Sequence, residues 1–191
     1  MKRPITIGMD CDGVLRDFPK SLVETYKMHY PKHDVVPVKE WDKYSLDSYF
    51  PVGKDIYKFF TEEHPLSIYS MAQPYPGVRG QLSELKEKYR VVIVSYQPTK
   101  HIEDLTREWL RNYGLQGATE IFIKDKSKVE GLDVLIDDCT ENLQAVRKAA
   151  TTTIPMALDR PWNQDWDGVR IHNIKEAHEI IGGLRRDGFF D

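Results

Sequence analysis

The sequence predicts an α/β protein: a parallel sheet covered by helices on both faces, with a small, mainly helical insert after the first strand. Two observations carry this. Short apolar runs alternate with stretches of helical periodicity along most of the chain. Polar, chemistry-bearing residues (Asp10, Ser95, Lys124 and Asp137) each follow directly after one of those runs, where an open parallel sheet places its site.

The elements follow in order. Ile5 to Met9 reads as the first strand and ends at Asp10. Arg16 to Gln73 is irregular: Lys20 to Tyr30 reads as a helix, and Pro31, Pro37, Pro51 and Gly53 break an aromatic-rich remainder into short pieces. Pro74-Tyr75-Pro76-Gly77 is a turn signal. Val78, Leu82 and Leu85 then recur at the helix period up to Tyr89. Val91 to Val94 is a continuous apolar run, the pattern of a strand buried on both faces. Ile102 to Tyr113 is helical and stops at Gly114. Ile121 to Ile123 and Val134 to Ile136 are the third and fourth strands, Glu141 to Ala150 a helix, Thr152 to Leu158 a fifth strand and Ile174 to Arg186 the closing helix. The division implied is a core of residues 1–15 and 74–191 and an insert of residues 16–73.

The bulk numbers narrow the function classes. The chain has 191 residues, of which 40% are hydrophobic and 30% charged. That suits one ordinary domain with a modest insertion. A net charge of −3 disfavours a broad basic face for extended nucleic acid, which depends on neutralising many phosphates. The two cysteines, Cys11 and Cys139, make no disulfide framework and read as small buried residues. No stretch has the length of a signal peptide's apolar region or of a membrane span, so the expected setting is the cytoplasm. Six histidines are scattered without ligand spacing. Lys2-Arg3 and Arg185-Arg186 read as solvated charge.

Asp10-Cys11-Asp12-Gly13 sets the chemistry. Two carboxylates one residue apart can turn toward one point if the backbone curls, and Gly13 permits the curl. Asp137-Asp138 presents a second pair at another strand end. Four carboxylates at one edge repel one another unless a cation joins them. Oxygen ligands near phosphate favour Mg²⁺, so Asp10, Asp12, Asp137 and Asp138 are the expected metal ligands. Ser95 can donate to phosphoryl oxygens, and Lys124 or Lys126 can supply a cation. Asp10 can attack phosphorus, and Asp12 can protonate the leaving oxygen and then activate water. The competing readings are an Asp-Gly turn, and helix capping by Asp137, Asp138 or Thr140. The ordered set of all four elements outweighs the first; the second is compatible with metal binding.

That set resembles the haloacid dehalogenase (HAD) superfamily of aspartate-nucleophile phosphatases, which implies a HAD-like Rossmannoid sheet with a small helical cap. Asp10-Cys11-Asp12-Gly13-Val14-Leu15-Arg16-Asp17-Phe18 is similar to the opening of the 5′(3′)-deoxyribonucleotidases, Asp-Met-Asp-Gly-Val-Leu-Ala-Asp-Phe. Pro74-Tyr75-Pro76-Gly77 and Leu158-Asp159-Arg160-Pro161-Trp162-Asn163 resemble two further segments of that family, the second in its bacterial and phage members. The resemblance implies a nucleoside monophosphate substrate, preferably a deoxyribonucleotide. It implies Lys126 as the phosphate lysine, with Lys124 second, and Phe18, Tyr69 and Trp41 as base-stacking aromatics. It implies a homodimer, and host cytoplasm if the chain is phage-encoded. Tyr96 stands where the family has a small donor, on the leaving-group side of the substrate pocket. Three rivals remain: a 3′-phosphatase on nucleic-acid ends, a sugar-phosphate phosphatase of the same fold, and a non-enzymatic binding module. Asp10 and Asp12, both present, oppose the last.

Overall fold

The computed structural model describes residues 3–149 and 152–189; Lys2 and Ala150 lie outside them. Six strands form one sheet: β1 (Thr6–Met9), β2 (Arg90–Ser95), β3 (Glu120–Phe122), β4 (Val134–Asp137), β5 (Ile154–Leu158) and β6 (Val169–Ile171). The order is β3-β2-β1-β4-β5-β6, and every neighbouring pair is parallel. The chain winds one way from β1 to β3, crosses back, and winds the other way from β4 to β6. The reversal between β1 and β4 opens a crevice at the strands' carboxyl ends.

The strand β6 was not expected. It is only three residues long, and the run Val169-Arg170-Ile171 carries too little apolar signal to announce itself. It pairs in parallel with β5, packs Val169 and Ile171 into the core, and is braced where Arg170 reaches Asp159 Oδ1 (2.8 Å), Asn163 Oδ1 (2.8 Å) and the Asn163 carbonyl (2.8 Å).

Helices cover both faces, and the strand period of two shows it. Val91 and Ile93 pack into the cluster that holds Leu82 of α3 (Val78–Lys88), Trp109 of α4 (Lys100–Tyr113) and Ile181 of α6 (Glu176–Arg186). Val92 and Val94 face the other way, against Leu132, Leu135 and Val146 of α5 (Thr140–Lys148). Burying side chains on alternate faces explains why these strands read as unbroken apolar runs. Arg3 is solvent-exposed, as expected, and also forks onto Asp133 through two contacts of 2.7 Å; Asp133 in turn accepts the Thr6 N–H at 2.8 Å. This pins the start of β1 beside β4.

Between β1 and α3 lies the insert: α1 (Phe18–His29), a 3-10 turn at Val38–Glu40, the short α2 (Asp55–Lys58) and two wide π-type turns at Phe59–Glu63 and Leu66–Ser70. Asp17 caps α1 by accepting the Lys20 N–H at 3.2 Å. The insert has an aromatic cluster of its own, with Tyr26, Trp41, Tyr49, Phe50, Phe59 and Tyr69, and this cluster roots on Ile102, Leu105 and Trp162. Its two ends lie side by side: the Asp17 N–H donates to the Gln73 carbonyl (2.9 Å), and the Tyr75 N–H to the Leu15 carbonyl (2.9 Å). No helix among the described residues is long and apolar enough to cross a membrane.

Candidate active site

Register puts the acidic residues together. Met9 pairs with Ile136 across β1 and β4, so Asp10 and Asp137 emerge level with each other on neighbouring strands. The Asp10 N–H donates to the Ile136 carbonyl at 3.0 Å, carrying the ladder one residue further. Asp10, Asp137 and Asp138 are all buried, and each offers an oxygen within 4.8 Å of the others'.

The rest of the cluster is held by hydrogen bonds. Asp10 Oδ1 accepts from the Cys11 N–H (2.8 Å) and lies 2.9 Å from Lys126 Nζ. Asp137 Oδ2 takes the same lysine at 2.6 Å, while its Oδ1 accepts from the Cys139 N–H (2.9 Å). Asn142 Nδ2 adds a contact of 3.1 Å to Asp137. Asp138 Oδ2 accepts from the indole of Trp162 (3.0 Å), and its Oδ1 is buried with no partner.

Gly13 makes this packing possible. It sits at φ +77°, and a Cβ there would overlap the Asp138 carboxylate. The loop closes on the Cys11 carbonyl, which accepts from Leu15 (2.8 Å) and Arg16 (2.9 Å).

The electrostatics call for a cation. Three buried carboxylates face one ammonium, Lys126. Burial works against that ammonium, but Asp10 and Asp137 outweigh it and hold Lys126 protonated beyond its ordinary range. Burial pushes the Asp10 carboxyl up to about 7, with Asp137 adding to the rise and Lys126 opposing it. Asp138 is raised well above the usual carboxylate range by burial and by Asp137 and Asp10. An unpartnered buried oxygen in an all-oxygen, electron-rich cluster fits a hard divalent cation held by Asp10, Asp137 and Asp138.

Asp12 stands apart from the cluster in which its side chain was expected. Arg16 Nε reaches Asp12 Oδ1 at 2.6 Å and Arg16 Nη2 reaches Oδ2 at 3.0 Å, while Gln97 Nε2 donates to Oδ2 at 3.0 Å. This clamp engages both oxygens of Asp12, which lines the same cavity as Asp10 and Asp138 but is not part of their close cluster. Ser95, at the end of β2, is buried and accepts from Gln97 Nε2 at 3.2 Å. Lys126 is buried inside the cluster; Lys124 is exposed, with its ammonium 6.0 Å from the centre of the Tyr96 ring. Burial pushes the thiols of Cys11 and Cys139 up, which keeps both as neutral packing groups.

Above the carboxylates opens a cavity of about 540 Å³, lined by Asp10, Asp12, Ser95, Lys126 and Asp138 and by aromatic side chains from the insert. Phe18, half-buried, meets Phe60 edge-on (5.4 Å between ring centres) and Tyr69 at a tilt (5.3 Å). Trp41 is buried and stacked on Tyr49 at 4.9 Å, yet also borders the cavity and approaches Trp162 at 6.0 Å. Tyr96 lies at the rim, 47% exposed. All four expected substrate aromatics therefore border one space. The sequence reading missed Arg16, Gln97, Asn142, Trp162 and Phe60. Arg16 and Trp162 lay in segments singled out beforehand, but without a role; the indole contact of Trp162 with Asp138 spans 24 residues of chain.

Comparison with known proteins adds the family. The family model for 5′ nucleotidase, deoxy (Pyrimidine), cytosolic type C protein matches residues 3–187. The chain belongs to this family. It is thus a HAD-type phosphatase, a phosphoric monoester hydrolase of the deoxyribonucleotidase kind. A curated protein of Chlorobaculum tepidum, named provisionally as a 5′(3′)-deoxyribonucleotidase, is 26% identical over 193 residues, covering 94% of this chain and 91% of that protein. Among solved structures, a haloacid dehalogenase-like hydrolase of Streptococcus pneumoniae superposes with a TM-score of 0.66 at 14% identity, covering 93% of this nucleotidase-family chain and 98% of the other. YfnB of Bacillus subtilis, a HAD-type hydrolase structure bound to magnesium, gives 0.61 at 13% identity, covering 95% of this chain and 100% of its own. Both show the shared fold.

Proposed function

We propose that the protein is a Mg²⁺-dependent phosphatase of nucleoside monophosphates, preferring deoxyribonucleotides, that works through a phosphorylated Asp10. The observation that carries this reading is the convergence of Asp10, Asp137 and Asp138 beneath an aromatic-walled cavity that Asp10, Asp138 and Asp12 line. Residues 1–15 and 74–191 serve as the catalytic core and residues 16–73 as its cap. The expected setting is the cytoplasm, host cytoplasm if the chain is phage-encoded, and the expected assembly a homodimer.

Asp10 Oδ1 is engaged by the Cys11 N–H and by Lys126, which leaves Oδ2 as the attacking oxygen. In the first step Oδ2 bonds to phosphorus, the bond from phosphorus to the nucleoside oxygen breaks, and Asp12 gives that oxygen a proton. In the second step Asp12 takes a proton from water as the water oxygen bonds to phosphorus. Inorganic phosphate leaves and the Asp10 carboxylate is restored. Ser95 and Lys126 bind the phosphoryl oxygens. Lys124, at the rim, meets the substrate as it enters. Mg²⁺, held by Asp10, Asp137 and Asp138, supplies the positive charge that keeps these carboxylates ionised and offsets charge on the phosphoryl group. Phe18, Tyr69 and Trp41 offer faces for the base, and Tyr96 borders the leaving group.

The test is phosphate release from ribo- and deoxyribonucleotides, 5′ and 3′, from sugar phosphates and from a 3′-phosphorylated oligonucleotide, with Mg²⁺ and with chelator. Metal-dependent turnover concentrated on deoxyribonucleotides is the expected result. Turnover confined to sugar phosphates or to nucleic-acid ends overturns the substrate, and silence on every ester overturns the activity.

Stacking makes a narrower prediction. Phe18→Ala raises KM for a deoxyribonucleotide by about 10-fold, in line with roughly 1–3 kcal/mol for a stacked base, and leaves KM for p-nitrophenyl phosphate within about 2-fold. Equal increases for both substrates would remove the base from Phe18.

Stability should depend on pH in a defined sense. The Asp10 carboxyl rises from 3.8 to about 7 in the folded, metal-free chain, so folding favours its protonated form. Its contribution is present below pH 4 and is lost as pH rises through 7. In chelator, the Tm of the parent falls between pH 4 and pH 7 more steeply than that of Asp10→Asn, which has no proton to lose. Parallel Tm curves for the two proteins contradict this.

A further inference from the structure

We propose that Arg16 and Gln97 form a fixed cradle that positions Asp12 for proton transfer, a role that rests on the phosphatase reading above. Both are positioning residues: they touch Asp12 and, for Gln97, Ser95, with neither placed against the phosphoryl group.

Arg16 is fully buried, while Asp12 keeps 20% of its side chain exposed toward the cavity. Nε and Nη2 of the guanidinium grip the two Asp12 oxygens at 2.6 and 3.0 Å, the planar two-point fit that only arginine offers. The same guanidinium is anchored elsewhere. Nη1 donates to the Tyr69 carbonyl of the insert at 3.0 Å, and Nη2 to the Thr106 hydroxyl of α4 at 3.1 Å. Its carbon also lies 4.9 Å from the centre of the Tyr69 ring and 5.2 Å from that of Trp109. Arg16 therefore ties the orientation of Asp12 to both the core and the insert. Its backbone does the same, pairing with Asp12 on one side and Pro74 on the other, where the insert leaves and re-enters the core.

Gln97 closes the cradle from the opposite side. Its one amide nitrogen serves Asp12 Oδ2 (3.0 Å) and Ser95 Oγ (3.2 Å), so a single group sets the spacing of the acid and the phosphate-binding hydroxyl. Gln97 Oε1, however, is buried with no partner. An apolar side chain of similar size would avoid that unmet acceptor. The amide is therefore turned toward Asp12 and Ser95 at the cost of its own oxygen.

The experiment compares the parent, Gln97→Leu, Arg16→Lys, Asp12→Asn and the Asp12→Asn/Gln97→Leu double variant, all loaded with Mg²⁺. The substrates are phenyl phosphate, whose leaving oxygen needs a proton, and 2,4-dinitrophenyl phosphate, whose leaving oxygen does not. Neither depends on nucleotide recognition. The readouts are single-turnover phenol release and Tm. Gln97→Leu should keep or raise the Tm, slow phenol release by about 10-fold or more, leave the dinitrophenol burst within about 2-fold, and cost nothing further in the Asp12→Asn background. Arg16→Lys should also slow phenol release, because one ammonium cannot fill the fork. Gln97→Leu releasing phenol at the parent rate overturns the cradle, as does a loss that adds in full to that of Asp12→Asn. A parent that hydrolyses neither ester fails at the phosphatase reading instead, before the cradle is tested.

Discussion

Asp10→Asn abolishes turnover, by at least about 10⁴-fold on every phosphate ester, while the chain stays folded. The amide is a poor nucleophile and a poor partner for a divalent cation, so phosphoryl transfer and metal binding both suffer. The fold survives because the change removes charge from a crowded cluster rather than adding any. Asp10 Oδ1 accepts from the Cys11 N–H at 2.8 Å, and an amide oxygen can still take that bond. Lys126 loses one carboxylate but keeps Asp137 Oδ2 at 2.6 Å. In metal-free protein the substitution relieves repulsion with Asp137 and Asp138, and the Tm at pH 8 holds or rises. Steady-state turnover with a thermal melt on the same preparation checks both halves. A variant that retains a tenth of parental turnover would remove Asp10 from the role of nucleophile.

Gly13→Ala damages the same centre by a different route, without touching a carboxylate. At φ +77° an alanine is strained by about 1–2 kcal/mol, which for a chain of this size lowers Tm by roughly 2–8 °C. The larger effect is steric. The new methyl would overlap the Asp138 carboxylate, and that side chain must leave its position beside the Trp162 indole. Displacing one of three cation-holding groups weakens Mg²⁺ binding by about 10–100-fold or more, by analogy with changes to groups that orient metal ligands. Turnover at low Mg²⁺ falls accordingly and recovers in part as Mg²⁺ is raised. Titrating the activity with Mg²⁺ distinguishes this from general unfolding, in which added metal restores nothing. Parental turnover at low Mg²⁺ would mean that Asp138 has room to move without loss.

The residues legible in advance share one property: each sits where an apolar run ends. Asp10 after Ile5 to Met9, Ser95 after Val91 to Val94 and Asp137 after Val134 to Ile136 could be placed on one edge because buried parallel strands read as unbroken apolar segments. Lys126 was drawn from a loop rich in lysine by family resemblance. The structure places it, not Lys124, in the carboxylate cluster, where two buried charges compensate its own. Gly13 was assigned a curl, and the curl is there at positive φ; that the space above it belongs to Asp138 is a fact of packing.

The chain by itself thus determined five of the six strands, their parallel sense, the edge that carries the chemistry and the acidic pairs on it. These follow from local periodicity and from where each run stops. The tertiary structure alone decided which carboxylates converge and which one stands aside. Asp12 is two residues from Asp10, yet its position is set by Gln97, 85 residues away, and by an arginine that is itself held by Tyr69 and Thr106. Such contacts leave no periodic trace, because they arise between loops that meet only when the strands beneath them align in register. The three-residue β6 escaped for a related reason: its two apolar residues, Val169 and Ile171, are too short a run to read as a strand, and its place is fixed by pairing with β5 and by Arg170 reaching Asp159 and Asn163.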